Sequence, residues 1–277
     1  MAEEAEAGLG AIRFTYGTAF GRFLAKAILC RKWVSNAYAA WQKSSLSKGK
    51  VKKFMKQYGI STDDCVEQEY PDFNAFFTRQ RKPRKDLTPE NALDAVADAK
   101  LLAIPIEENS HFNIKDVPYT LEELLESKEL AEKFAGGLCL IFRLAPTDYH
   151  RYAYPDSGTQ ENTVKIPGVL HTVNPIAGSM KVYRRNTRQY QVLHTDHFGD
   201  VLQMEVGAML VGKIRNHEEG PGSFKKLQEK GYFEYGGSTV ILLCEKDRVR
   251  ISDDIREHSA RGIETRVTLG DQIGEAK

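Results

Sequence analysis

Residues Thr239-Val-Ile-Leu-Leu243 are a short β-branched and aliphatic run, entered directly from Gly236-Gly-Ser238. A continuous apolar run bounded by a turn signal reads as a buried strand, so the rest of the chain has to supply a body that covers it. Two glycines ahead of such a run are ordinarily a tight turn. A Gly–Ser bond at a strained strand entry is also a place where a chain can cut itself and turn the serine into a covalent cofactor. Four residues alone favour the turn, because so short a pattern is weak.

Other runs of the same kind follow residue 91. Leu138-Cys-Leu-Ile-Phe142 is apolar throughout, and Leu202-Gln-Met-Glu-Val-Gly-Ala-Met-Leu210 alternates with period two. One helix is predicted from Thr120 to about Phe134, with Thr120 and Glu123 forming a capping box. Ahead of this region the pattern is helical. Phe20, Phe23, Leu24, Ala27 and Ile28 recur at helical spacing, as do Val51, Phe54, Met55 and Tyr58. The predicted class is therefore α+β, with basic amphipathic N-terminal helices on a β-rich body. Three parts are expected: helices over 1–60, a connector over 61–90 and a β-rich catalytic domain over 91–277. In the connector, Ser61-Thr-Asp-Asp64 looks like a helix start, and Pro83 and Pro89 break regularity.

The net charge of about +1 gives no global argument for a polyanion, and no nucleic-acid partner is expected. It conceals an asymmetry. Between Gly8 and Ile60 there are 11 Lys or Arg residues and no acid. Basic amphipathic helices with aromatics such as Trp33, Tyr38 and Trp41 suit the surface of an anionic membrane. The competing reading is a helical pair packed on its own body with a solvated basic face. No apolar run is long enough to cross a bilayer, and Met-Ala-Glu-Glu-Ala-Glu lacks a signal-peptide layout. Cys30, Cys65, Cys139 and Cys244 are scattered and read as reduced, mostly buried thiols.

No phosphate-binding glycine loop is present, and Ser238 leads into a strand rather than a helix, which excludes the serine-hydrolase elbow. His194-Thr-Asp-His197-Phe-Gly-Asp200 lacks helical ligand spacing, and no metal is expected. Three polar groups stand out: His150 just past an apolar strand, Asp98 in the nearly apolar Ala95-Val-Ala-Asp98-Ala99, and His171 in Gly168-Val-Leu-His171-Thr. Each alone is more often a satisfied structural group than a reactive one.

Taken in order, several of these pieces form a recognisable set. Phe73-Asn-Ala-Phe-Phe-Thr-Arg79, Ala97-Asp98, Ala145-Pro-Thr-Asp-Tyr-His150-Arg151, Val173-Asn-Pro175, Val206-Gly-Ala-Met-Leu-Val-Gly212 and Gly231-Tyr-Phe-Glu-Tyr-Gly-Gly-Ser-Thr239 span nearly the whole chain. The chain resembles the phosphatidylserine decarboxylase family, which is pyruvoyl-dependent, in its short bacterial form. The resemblance implies self-cleavage between Gly237 and Ser238 into a β chain of residues 1–237 and an α chain of residues 238–277. Ser238 becomes the pyruvoyl cofactor, whose carbonyl forms a Schiff base with the amine of phosphatidylserine before CO2 leaves to give phosphatidylethanolamine. Asp98 matches the family's relay aspartate, and His150 matches the first histidine of its Asp-Tyr-His-Arg element, with a role in proton transfer.

Position 153 is alanine where the family commonly carries a second histidine, so His150 or His171 is expected to act as the base. Asp98-Ala99 and Lys226-Leu227 replace the family's Asp-Gly and Lys-Gly, the second reading as loop variation. Phosphatidylserine, an anionic membrane surface, the protein's own two cleaved chains and a homo-oligomeric partner are the expected associations. The expected location is peripheral, on the cytoplasmic side of the cell membrane. Two alternatives stay open on the residues alone. One is a non-maturing lipid-binding or assembly protein; the other is a pyruvoyl decarboxylase of a different amine-bearing substrate.

Overall fold

The computed structural model describes residues 32–83, 88–114, 117–169, 182–207, 213–235 and 238–277. Helix α1 (Lys32–Gln42), a 3-10 turn (Ser45–Ser47), α2 (Lys48–Tyr58) and the short α3 (Phe73–Phe77) form the front end. The body begins with β1 (Ala92–Asp94), β2 (Ala99–Pro105), β3 (His111–Ile114) and β4 (Val117–Thr120). It continues through α4 (Leu121–Leu125), α5 (Lys128–Lys133), β5 (Leu138–Leu144), β6 (Arg151–Ala153), β7 (Gly158–Gln160), β8 (Val164–Ile166) and α6 (Val182–Arg185). Next come β9 (Arg188–Thr195), β10 (Gly199–Gly207), β11 (Ile214–Asn216), β12 (Gly222–Phe224) and β13 (Glu229–Phe233). The chain closes with β14 (Ser238–Cys244), β15 (Val249–Ile251), α7 (Asp253–Ala260), β16 (Thr265–Val267) and β17 (Gln272–Ala276). This is the α+β class, with a β-rich body.

The principal sheet runs β12-β7-β9-β10-β14-β5-β2-β16, with β8 also on β9, and its pairings are antiparallel. Strand β14 lies in the middle, and every one of its residues is buried. That is the environment its apolar run demands, since an aliphatic strand with no polar face is stable only when both faces are covered. A smaller sheet, β11-β13-β6, packs on one face of β9 and β10. Helix α7 packs on β2 and β16.

The contact between the two sheets is polar. Lys230 on β13 and Glu205 on β10 are both 0% exposed and pair at 2.7 Å. Asn216 Nδ2 and Gln189 Nε2 donate to the other Glu205 oxygen at 3.2 and 3.5 Å, and the Tyr152 hydroxyl donates to Asn216 at 2.8 Å. The alternation along residues 202–210 therefore does not mark a solvated face. Over 201–207 both faces are buried, and the polar residues meet partners from the second sheet.

Three local expectations are corrected. The helix predicted over 120–134 is two helices. Glu126 adopts a left-handed conformation (φ 52°) that ends α4, and the Ser127 hydroxyl caps α5 by accepting Leu130 N–H. Thr120 does cap α4, accepting Glu123 N–H at 3.1 Å, while the Glu123 carboxylate pairs with Arg184 instead of closing a capping box. Residues 61–64 are a turn closed by Ser61 and Asp63. The helix start of this segment is Asp72, whose carboxylate accepts Ala75 N–H at 2.8 Å.

The apolar stripe of α2 faces inward. Val51, Phe54 and Met55 pack with Tyr70, Phe73, Phe76, Phe77 and Tyr235, while Lys52, Lys53 and Lys56 are exposed. Over 48–58 the packed helix with a solvated basic face is the arrangement found. The stripe at 20–28, like Cys30, lies outside the residues described here.

Candidate active site

Ser238 is the first residue of β14, with Leu144 of β5 on one side and Gly207 of β10 on the other. Its side chain points to the same face as those neighbours, and Gly207 contributes no side chain to that face. Ser238 is fully buried, and its Oγ has no hydrogen-bond partner among the described residues. The same holds for Thr239 Oγ1. An unmade bond of this kind costs about 1–3 kcal/mol, so a buried hydroxyl with no partner among the described residues calls for an explanation. Gly237, the other half of the expected scissile bond, lies outside the described residues.

Chain segments 144–151 and 233–238 both leave the principal sheet here and enter the small one. They are pinned at both ends, by the Ser238–Leu144 pair and by a bond from Phe233 N–H to the His150 carbonyl at 2.9 Å. His150 therefore sits at the same corner as Ser238. It is fully buried, and its ring lies against Phe77 with centroids 3.9 Å apart. Its Nδ1 is 2.9 Å from the Asp148 carbonyl oxygen. A carbonyl oxygen can only accept, so Nδ1 carries the proton and Nε2 carries the lone pair. That is the tautomer a general base requires.

Asp98 has different company. Arg81 grips it with both terminal nitrogens, at 3.0 and 2.7 Å, and Leu269 N–H adds a third bond at 2.9 Å. The carboxylate is thus committed to the connector and the C-terminal segment, and Ser238 Oγ does not bond to it. Beside this pair opens a cavity of about 610 Å³, whose walls include Arg81, Tyr149, Arg151, Ala153, Leu227 and Leu269. Ala153 belongs to this wall and is itself buried. Leu227 has φ 58°, a left-handed conformation suited to glycine, so the departure at that position is a strained turn rather than neutral loop variation. His171 lies outside the described residues.

Asp148 belongs to the same corner and was not singled out by its sequence. Its Oδ2 accepts Ala145 N–H at 2.7 Å, and its own N–H donates to the Ala145 carbonyl at 2.9 Å. Burial, more than any neighbouring charge, pushes its carboxyl up to about 6. In the sequence it reads as one more polar loop residue. Only its place in the turn four residues beyond the strand facing Ser238 sets it apart.

The His194 cluster is an ion-paired surface group, in which His194 Nδ1 meets Asp200 at 2.7 Å and Lys133 meets the same carboxylate. Among the described residues no group of three or more acidic, histidine or cysteine side chains could hold a metal.

Fold and corner together define an α+β protein whose central strand begins on a buried serine. A sequence model of phosphatidylserine decarboxylase matches residues 73–275. Phosphatidylserine decarboxylase proenzyme 2 of Clostridium acetobutylicum is 41% identical over 269 residues, covering 96% of this chain and 92% of the relative. The phosphatidylserine decarboxylase proenzymes of Clostridium perfringens and Clostridium botulinum are 39% and 38% identical, covering 98% and 99% of this chain and 95% of each relative. The chain belongs to the phosphatidylserine decarboxylase family.

Proposed function

We propose that this chain is a phosphatidylserine decarboxylase proenzyme that opens itself between Gly237 and Ser238 and then converts phosphatidylserine to phosphatidylethanolamine. The observation that carries the reading is the buried Ser238 hydroxyl at the head of β14, without a hydrogen-bond partner among the described residues and inside the stretch matched to the family. A serine hydroxyl is a weak nucleophile until a base takes its proton. His150 supports that role through its Nε2 lone pair and its place at the same corner. Ser238 Oγ attacks the Gly237 carbonyl carbon, and the peptide C–N bond gives way to an ester. Removal of the Ser238 α-proton then expels the ester oxygen, leaving residues 1–237 as a free carboxylate. The dehydroalanine left at 238 takes up water and loses ammonia, which gives a pyruvoyl end.

The buried setting, with Gly207 alongside, suits a group of that size. Once formed, the pyruvoyl group supplies a carbonyl that takes up the substrate amine and accepts the electron pair released with CO2. Asp98 acts through Arg81, holding the connector against the cavity wall. His171 is proposed from the family match alone, as an alternative base.

The lipid reaches this site at a bilayer surface. No described helix is long and apolar enough to cross a membrane. Docking instead falls to the tip between α1 and α2, where Leu46 is 81% and Trp41 38% exposed. Lys43 and the outward lysines of α2 flank it, and such a mixture favours an anionic interface.

Intact mass of the purified protein tests the reading. The expected result is two chains split at 237/238, with the smaller blocked at its N-terminus. Ser238→Ala is expected to remain one chain with no decarboxylation; activity surviving in that variant would refute the mechanism.

A further inference from the structure

Two bonds leave Asp148 in different directions, and each ends on a part of the cleavage corner. The carboxylate Oδ2 accepts Ala145 N–H at 2.7 Å, and Ala145 follows directly on Leu144, the ladder partner of Ser238. The Asp148 carbonyl accepts the Nδ1 proton of His150 at 2.9 Å. A tight turn over 145–148 needs only the bond from Asp148 N–H to the Ala145 carbonyl, which is already made at 2.9 Å. The side-chain bond is an addition that fixes the peptide plane at the end of β5. It also fixes the direction of the carbonyl offered to His150.

We propose that Asp148 is the positioning residue of self-cleavage, setting both the strand end that faces Ser238 and the histidine nitrogen that carries the lone pair. The assignment rests on the reading that Ser238 opens its own chain. Its chemistry is consistent with the surroundings. The carboxyl is half-buried, Arg266 and Arg143 favour its ionised form, and Asp98 opposes it. An ionised acceptor makes the stronger bond to an amide N–H.

The test follows two readouts. The first is the rate of two-chain formation by intact mass after fresh synthesis of the full chain. The second is the histidine tautomer, read by long-range 1H–15N correlation on a Ser238→Ala precursor labelled in histidine, with His150→Gln giving the assignment. Asp148→Ala is expected to slow cleavage about tenfold, the scale of one lost hydrogen bond to a charged group. It should also shift the His150 proton from Nδ1 to a mixture of both nitrogens. Asp148→Asn keeps an acceptor at the same place, so it should retain the Nδ1–H tautomer and cleave within about threefold of the parent; it carries the test alone where the alanine variant does not fold.

The proposal is overturned by wild-type cleavage in Asp148→Ala, or by slow cleavage there with the tautomer unchanged. It also fails if Asp148→Asn cleaves as slowly as the alanine variant while keeping the tautomer. Cleavage persisting in Ser238→Ala would instead sink the reading of Ser238 and leave the tautomer result to judge Asp148.

Discussion

Lys230 and Ser238 are eight positions apart, both fully buried, and treated in opposite ways. The Lys230 ammonium meets Glu205, whose carboxylate is further bonded by Asn216 and Gln189. Ser238 Oγ meets no partner among the described residues. A buried charge unpaired would cost several kcal/mol, so the first arrangement is a structural necessity once Glu205 is inside. A buried hydroxyl unpaired costs far less, and a fold can carry it as a standing liability. The same contrast separates Arg188 from Thr239. The buried guanidinium of Arg188 is bonded to the carbonyls of Leu124 at 2.7 Å and Arg184 at 2.6 Å, which also ties β9 to the end of α4. Lys230 and Arg188 are fully engaged in holding the scaffold, whereas the Ser238 and Thr239 hydroxyls have no partner among the described residues at the corner where chemistry is expected.

The contrast can be broken by mutation. Lys230→Met removes one member of the buried pair and is expected to cost about 3–5 kcal/mol by denaturant unfolding. A loss below about 1 kcal/mol would show that Glu205 reaches water and the pair is not structural.

Asp148→Asn should go the other way. Burial raises this carboxyl from its ordinary 3.8 to about 6, so the folded state favours the protonated form. The ionised side chain therefore costs stability that builds as pH rises through about 4 to 6. Asparagine removes that cost, and a gain of roughly 1–2 kcal/mol is expected at pH 7.5, with little difference near pH 4. Equal effects at both pH values would separate the change from ionisation.

Ser238→Ala in the uncut chain should be neutral or stabilising by up to ~1 kcal/mol, since it deletes a hydroxyl with no partner among the described residues. A clear loss would reveal a bond that Ser238 makes in the folded chain. The smallest effect belongs to Leu227→Gly. Relief of the left-handed backbone is worth about 1 kcal/mol, partly offset by the lost side chain and by glycine's entropy, so a gain of a few tenths is expected in thermal melts.

Much of the body was legible in the sequence because its signals are local. The aliphatic runs at 138–142 and 239–243 became the adjacent central strands β5 and β14, and Thr120 capped a helix as its hydroxyl predicts. What failed was set by residues far apart in the chain. Glu205 sits in an alternating strand and looks like a solvated position; only Lys230 and Asn216, arriving from another sheet, make its burial tolerable. The break at Glu126 depends on a left-handed residue with no glycine to announce it. At the site, Ser238 and His150 stood out by motif, and their common corner comes from two chain crossings that no local pattern encodes. Asp98 matches the family's relay aspartate by motif, and its bonds to Arg81 and Leu269 come from segments that no local pattern around it announces. Asp148 was hidden because its importance lies in which carbonyl and which strand end it holds.

The position of β14 has a mechanical consequence. A break at 237/238 puts the middle strand of the principal sheet on the smaller piece and both of its neighbours, β5 and β10, on the larger. The same small piece contributes β16 to β2 and β17 to β1. Three of its four strands are thus zipped to the other chain, and it has no sheet of its own beyond the β15–β17 pair. Severing one covalent bond at this place creates a new chain end in the interior without creating a separable part. The two products are expected to part only when the whole body melts, so maturation would add a reactive terminus while leaving the architecture in one piece.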